Sequence, residues 1–247
     1  MTRTPSVVES KISARNGSGA AKLFGDRRLD QERLDSIRAS LPDRPFMMKD
    51  VSWEDYQALT TILEEPAIRA TYDRGYLELR MPLFIHEKIA AILSLMVHIL
   101  CVEWDIDIAH ARSTTFRRAD LGKGVEPDNC YYVGPHADHF NNKETIDLEV
   151  DPAPDLVIET DITNSSTHRI PIYAAMGVRE IWRWRDPQVE FLSLLPDGTH
   201  RTIALSEVLP PFSAEIANRF LQLGLSVNQK RFDVRFREFV RNELPRR

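Results

Sequence analysis

The stretch PDLVIETDITNSSTHRIPIYAAMGVREIWRW, Pro154–Trp184, carries the reading of the fold. Within it Asp155–Thr160 reads as a short strand, whose apolar run Leu156-Val157-Ile158 leads straight into an acid, Glu159. A helical stretch follows, His168–Met176, closed by Gly177, because glycine accepts the left-handed conformation that ends helices. Glu180–Trp184 then returns to strand composition. Strand, helix and strand in close succession predict an α/β protein.

Upstream, His86–Glu103 places Ile89, Ile92, Leu93, Met96, Ile99 and Leu100 at helical spacing, which predicts a long packed helix. Before it, Tyr76–Met81 (YLELRM) alternates apolar and polar residues like a strand, with Asp73-Arg74-Gly75 as its turn and Pro82 as its stop. Ser52 and Asp55 make a capping-box-like start for a helix through WEDYQALTTIL. Ser113–Arg117 and Asn129–Val133 read as further strands. Downstream, Val189–Leu194 and Thr202–Leu205 flank Pro196-Asp197-Gly198 and form a hairpin. Amphipathic helices over Ser213–Leu223 and Phe232–Arg241 end the chain. The expectation is one mixed sheet with helices around it, in a single domain over residues 42–247. Residues 1–41 are expected to be a variable, flexible segment, in which LDQERLDSIRASL could form a short surface helix.

Composition bounds the function. Of 247 residues, 43% are hydrophobic and 28% charged, enough for a sizeable core and unlike disordered, collagen-like or disulfide-scaffold chains. Two cysteines, Cys101 and Cys130, match no zinc spacing and point to a reducing cytoplasm. Ile89–Val102 is too short and too polar in its middle to span a bilayer, so no membrane partner is expected. The net charge of −5 is uneven: residues 1–40 carry eight basic side chains against five acidic, and residues 228–247 seven against three. The middle is therefore acidic, either a carboxylate-lined metal site with basic arms for a polyanion or a solvated surface.

Several signatures are missing. There is no Gly-rich phosphate loop, no dinucleotide fingerprint and no GxSxG elbow. His86-Glu87 begins like a zinc-protease helix, but Ala90 stands where the second histidine is needed. What remains is a pair of carboxylates at strand positions. Asp128, in GVEPDNCYYV, sits at the mouth of an apolar strand, and Glu159 lies inside another. An ionised carboxylate there is costly unless a cation or hydrogen bonds compensate it. Two of them at the ends of neighbouring strands could chelate Mg²⁺, which takes one or two carboxylates and keeps waters. Equally, both could cap turns or pair with arginine.

Three blocks in order, YDRGYLELRMP…HE (Tyr72–Glu87), GKGVEPDNCYYV (Gly122–Val133) and Pro154–Trp184, resemble the Uma-two family, restriction-endonuclease-like proteins of the PD-(D/E)XK nuclease superfamily. The resemblance implies a central mixed β-sheet flanked by helices, and a Mg²⁺ (or Mn²⁺)-dependent endonuclease that cleaves DNA through a metal-activated water and works as a homodimer. It makes Asp128 and Glu159 the metal-holding acids, with Glu87 as the upstream acid that some members add. The superfamily lysine is displaced: Asp161 holds its usual position, and Arg169, before the tyrosine of IYAAMGV, takes its place on the next helix. Arginine stays protonated and can donate hydrogen bonds but cannot act as a base. Proton transfer then falls to the water itself or to a neighbour such as His168; His86 could also reach the site. Asp161 is either a further ligand or a loop cap. Arg117, Arg118 and the tail residues Lys230, Arg231 and Arg235 are the expected backbone-phosphate contacts. The competing reading is a catalytically inactive nuclease-fold module that binds DNA or protein, favoured by the lysine-to-arginine change and the acidic net charge.

Overall fold

A computed structural model describes residues 45–244, apart from 63–67, 81–83, 113, 141–142, 162–165 and 186. The expected N-terminal segment 1–41 and the stop at Pro82 lie outside the described residues. In chain order the elements are β1 (Phe46–Met48), α1 (Trp53–Ile62), β2 (Arg69–Asp73), β3 (Tyr76–Arg80), α2 (Phe84–Glu103), β4 (Ile108–His110), β5 (Phe116–Arg118), β6 (Lys123–Val125), β7 (Asn129–Val133), α3 (Pro135–Phe140), β8 (Leu156–Asp161), α4 (Ser166–Met176), β9 (Glu180–Arg185), β10 (Gln188–Leu194), β11 (His200–Ile203), α5 (Ala214–Ser226) and α6 (Gln229–Asn242).

The α/β expectation holds, and its mixed sheet is the six-stranded one, ordered β11-β10-β9-β8-β7-β4. Its parallel pair is β8–β9, in register Leu156↔Glu180 through Asp161↔Arg185. A parallel pair needs a crossover, and α4 supplies it from the stretch that decided the reading. A second sheet departs from the expectation of a single one: β1-β3-β2-β6-β5, antiparallel throughout. Its strands β1 and β6, FMM and KGV, are too short to show a period, so only their tertiary pairing defines them.

Each face of the mixed sheet covers its own apolar cluster. On one side α2, α5 and α6 pack Leu93, Met96, Leu100, Phe220, Phe232 and Phe236 against Tyr131, Ile158, Trp182 and Phe191. By length and composition α2 could cross a membrane, yet Ile89, Leu93, Met96, Val97 and Leu100 are buried in this core. On the other side Ile172, Tyr173 and Met176 of α4 meet Val157, Cys130, Phe116 and Val125. A third cluster joins α1 to the second sheet through Tyr56, Leu59, Tyr72, Leu77 and Leu79. Strand alternation turns Leu77 and Leu79 of β3 into that cluster and leaves Glu78 and Arg80 on the opposite face. Both are buried nonetheless. That face meets α4 and the end of β8, and there the polar groups gather.

Candidate active site

β7 and β8 run antiparallel with Asn129 opposite Ile158. Asp128, the residue before β7, lies beside the end of β8, where it is bonded to Thr160 and shares Arg80 with Glu159. Asp128 is nearly buried and Glu159 wholly so, at 8% and 0% exposure. Two carboxylates this close repel, so the fold must supply compensating partners. For Asp128 they are the Thr160 backbone N–H at 2.7 Å and hydroxyl at 2.5 Å, both donating to Oδ2, and Arg80 Nη2, donating to Oδ1 at 3.0 Å. The same Arg80 nitrogen lies 3.6 Å from Glu159 Oε2.

Glu159 takes its remaining partners from α4. Arg169 Nη2 donates to Oε2 at 2.7 Å, and the Tyr173 hydroxyl donates to Oε1. These two residues are one helical turn apart and so share a face. Arg169 also donates through Nη1 to Glu78 Oε1 at 3.1 Å, which spans the gap between the two sheets. The chain therefore binds Glu78 and Arg80 from one sheet, Asp128 and Glu159 from the other, and Arg169 and Tyr173 from the crossover helix into one buried network.

The network drives its two central acids in opposite directions. Burial pushes the Asp128 carboxyl up, but Arg80, Arg169 and the Thr160 hydrogen bonds bring it below the usual aspartate value. Burial raises Glu159 above the usual glutamate value; Arg169 opposes this and the charge of Asp128 adds to it. Burial works against the charge on Arg169, yet Glu159 and Glu78 more than offset it, so this guanidinium stays protonated.

The sequence-expected residues fall into three groups. Asp128, Glu159 and Arg169 come together. His86, half-buried at the start of α2, feels the charges of Asp128, Arg80, Asp161 and Arg169, and burial holds its pKa below the usual imidazole value. Asp161, at the end of β8, is buried. His168 faces outward beside the buried Arg169, since neighbours on a helix point about 100° apart. Arg117 and Arg118 lie on β5, where Arg117 donates to Thr60 and covers the Tyr56 ring, and Arg118 pairs with Asp120 through two hydrogen bonds. Lys230, Arg231 and Arg235 are exposed on α6. Four participants escaped the sequence reading: Glu78, Arg80, Thr160 and Tyr173. The alternation of YLELRM was the available signal for the first two, but an alternating strand ordinarily turns its polar face to water.

A pocket of about 400 Å³ opens at Asp128, between the start of α2, β4 and β2. Glu87 is exposed and lines the same pocket. Among the described residues no group of three or more His, Cys, Asp or Glu side chains is arranged to hold a metal ion, so Glu87 does not complete a ready cage. The two strand acids do fit a divalent ion. Asp128 Oδ1 and Glu159 Oε2 already converge on a single cationic nitrogen, that of Arg80, and Asp128 reaches the pocket. Two carboxylate oxygens completed by water suit Mg²⁺, provided Arg80 withdraws.

Comparison with known proteins completes the description. The family model of Uma2, described as "putative restriction endonuclease", matches residues 53–230. Among solved structures, a crystal structure described as a "putative nuclease belonging to DUF820" from Anabaena variabilis ATCC 29413 is similar at a TM-score of 0.48 and 12% identity, covering 67% of this chain and 98% of that one. No curated protein matches the chain.

Proposed function

The chain belongs to the Uma2 family, and from that premise we propose that it is a nuclease that hydrolyses phosphodiester bonds of DNA with a divalent metal ion, Mg²⁺ or Mn²⁺. The observation that carries the reading is the convergence of Asp128 and Glu159 on one cation beside an open pocket. An ion held there by Asp128 and Glu159 supplies Lewis-acid polarisation of the phosphodiester and neutralises its charge.

The chain's own residues divide the remaining work. Asp128 is the acid that reaches the pocket, and its lowered pKa keeps it ionised at neutral pH. Arg169, without exposure, acts through Glu159: it fixes the carboxylate by a 2.7 Å hydrogen bond and is itself fixed by Glu78. It is a positioning residue in this arrangement, and arginine suits that role because its planar fork bonds two acids at once. Arg80 holds the two carboxylates together, and its release from them would free a guanidinium beside the site. Burial favours the neutral form of His86, which suits a proton-accepting role near Asp128.

Two copies related by a two-fold axis would cut both strands of a duplex, the reason for proposing a homodimer. Among the described residues neither Cys101 nor Cys130 forms a disulfide and both are buried, which accords with the proposed cytoplasmic location. A second reading, a nuclease-fold binding module without turnover, draws on Arg80 standing where an ion is needed.

The test is cleavage of supercoiled plasmid in Mg²⁺ or Mn²⁺ by wild type, Asp128→Asn and Glu159→Gln. Nicking by wild type that both variants lose supports the nuclease reading and its two acids together. A folded wild type that binds DNA but never nicks it moves the choice to the binding module.

A further inference from the structure

β2 and β3 set Arg69 directly opposite Arg80. Like charges facing across a ladder are unfavourable unless each finds an acid. Arg80 finds Asp128 and Glu159. Arg69 finds none: among the described residues it enters no ion pair, its Nε is buried without a hydrogen-bond partner, and it lines the pocket that opens at Asp128.

Arg112 stands on the same pocket, and it too lacks an ion pair among the described residues. Its backbone is left-handed, with φ of 49°, a conformation uncommon for a side chain of this size. That backbone is pinned, since Cys130 Sγ donates to the Arg112 carbonyl at 3.0 Å. His98 and His110 complete this side of the pocket with ring centroids 6.0 Å apart. Glu87, at its edge, is the acid opposing them besides Asp128, whose charge Arg80 already answers.

We infer that this pocket is a nucleotide subsite in which Arg69 and Arg112 grip a backbone phosphate of a single strand, adjacent to the bond presented to Asp128. Two uncompensated guanidiniums make an anion site, and guanidinium geometry matches phosphate oxygens. The volume of about 400 Å³ suits one nucleotide and is too small for a duplex. The inference rests on the nucleic-acid reading above and narrows it: each strand of a duplex enters the pocket of its own subunit unpaired, at an end or a locally opened segment.

The experiment is fluorescence anisotropy of a labelled single-stranded oligonucleotide in EDTA, where cleavage cannot interfere, with the full chain. Arg69→Gln and Arg112→Gln should each weaken binding about tenfold and lower the slope of log affinity against log salt, and the double variant, which loses the one phosphate, should lower it by about 0.7, the value per phosphate on a single strand. Arg69→Lys, which keeps the charge, should retain most of the affinity, and circular dichroism verifies that each variant is folded. Wild-type binding with unchanged affinity and slope in both glutamine variants overturns the subsite alone. Tighter binding of a blunt duplex than of the single strand also overturns it. A wild type that binds no nucleic acid overturns both the subsite and the nuclease reading.

Discussion

Asp128, the residue before β7, and Glu159 of β8 share one cation, Arg80 Nη2, at 3.0 Å from Asp128 Oδ1 and 3.6 Å from Glu159 Oε2, and both acids are buried. Juxtaposed acids of this kind cost stability unless positive charge is placed among them. Here Arg80 and Arg169 are that charge, one from the second sheet and one from the crossover helix.

Arg169 is therefore expected to matter for folding before it matters for chemistry. Arg169→Met leaves Glu78 and Glu159 buried without their shared counter-charge and should cost about 3–5 kcal/mol. Arg169→Lys keeps the charge but cannot bridge both acids, so it should cost less. Urea denaturation of the three proteins measures the difference, and equal stability of wild type and Arg169→Met would refute this account of the network.

In the proposed metal site a divalent ion would compete with Arg80 for the same two oxygens. Arg80→Met should lower the melting temperature in EDTA and make the protein more responsive to Mg²⁺ than wild type. Adding Asp128→Asn to Arg80→Met should abolish that response. Thermal denaturation with and without Mg²⁺ reads both effects. A response that survives loss of Asp128 would place the ion elsewhere.

Gly124 owes its identity to Tyr56. A Cβ at this position would lie 2.6 Å from Tyr56 Cζ, and Tyr56 is fully buried, stacked on Tyr72 with centroids 4.9 Å apart. Gly124→Ala should cost about 1–3 kcal/mol through this overpacking. Near-ultraviolet circular dichroism should register the displaced ring, and an unchanged denaturation curve would contradict the crowding.

Acid should loosen the loop that leads into β8. Asp151 accepts from the Asp147 backbone N–H at 3.0 Å and from Lys143 and His139, and these interactions bring its pKa to about 2. A depressed acid stabilises the fold above its unfolded pKa, near 3.9, and loses that contribution as pH falls through about 2. Asp151→Asn should accordingly flatten the decline of melting temperature between about pH 4 and pH 2. A decline as steep as that of wild type would assign the acid sensitivity to other groups.

The sequence by itself determined the crossover unit and its acids. Pro154–Trp184 shows strand, helix and strand because each segment has a period or a stop of its own, and Asp128 stands out as a charge at the mouth of one apolar strand and Glu159 as a charge inside another. The long helix α2 and the hairpin β10–β11 were legible for the same local reason. Tertiary structure alone decided that a second sheet exists, since β1 and β6 have no pattern beyond their partners. It alone decided that the polar face of β3 is interior, which brings Glu78 and Arg80 to the acids. Local sequence records which residues alternate along a strand; what covers each face of that strand is set by segments far away in the chain. For the same reason Arg69 and Arg112, ordinary surface arginines when read in line, become neighbours of Asp128 only once the two sheets have packed.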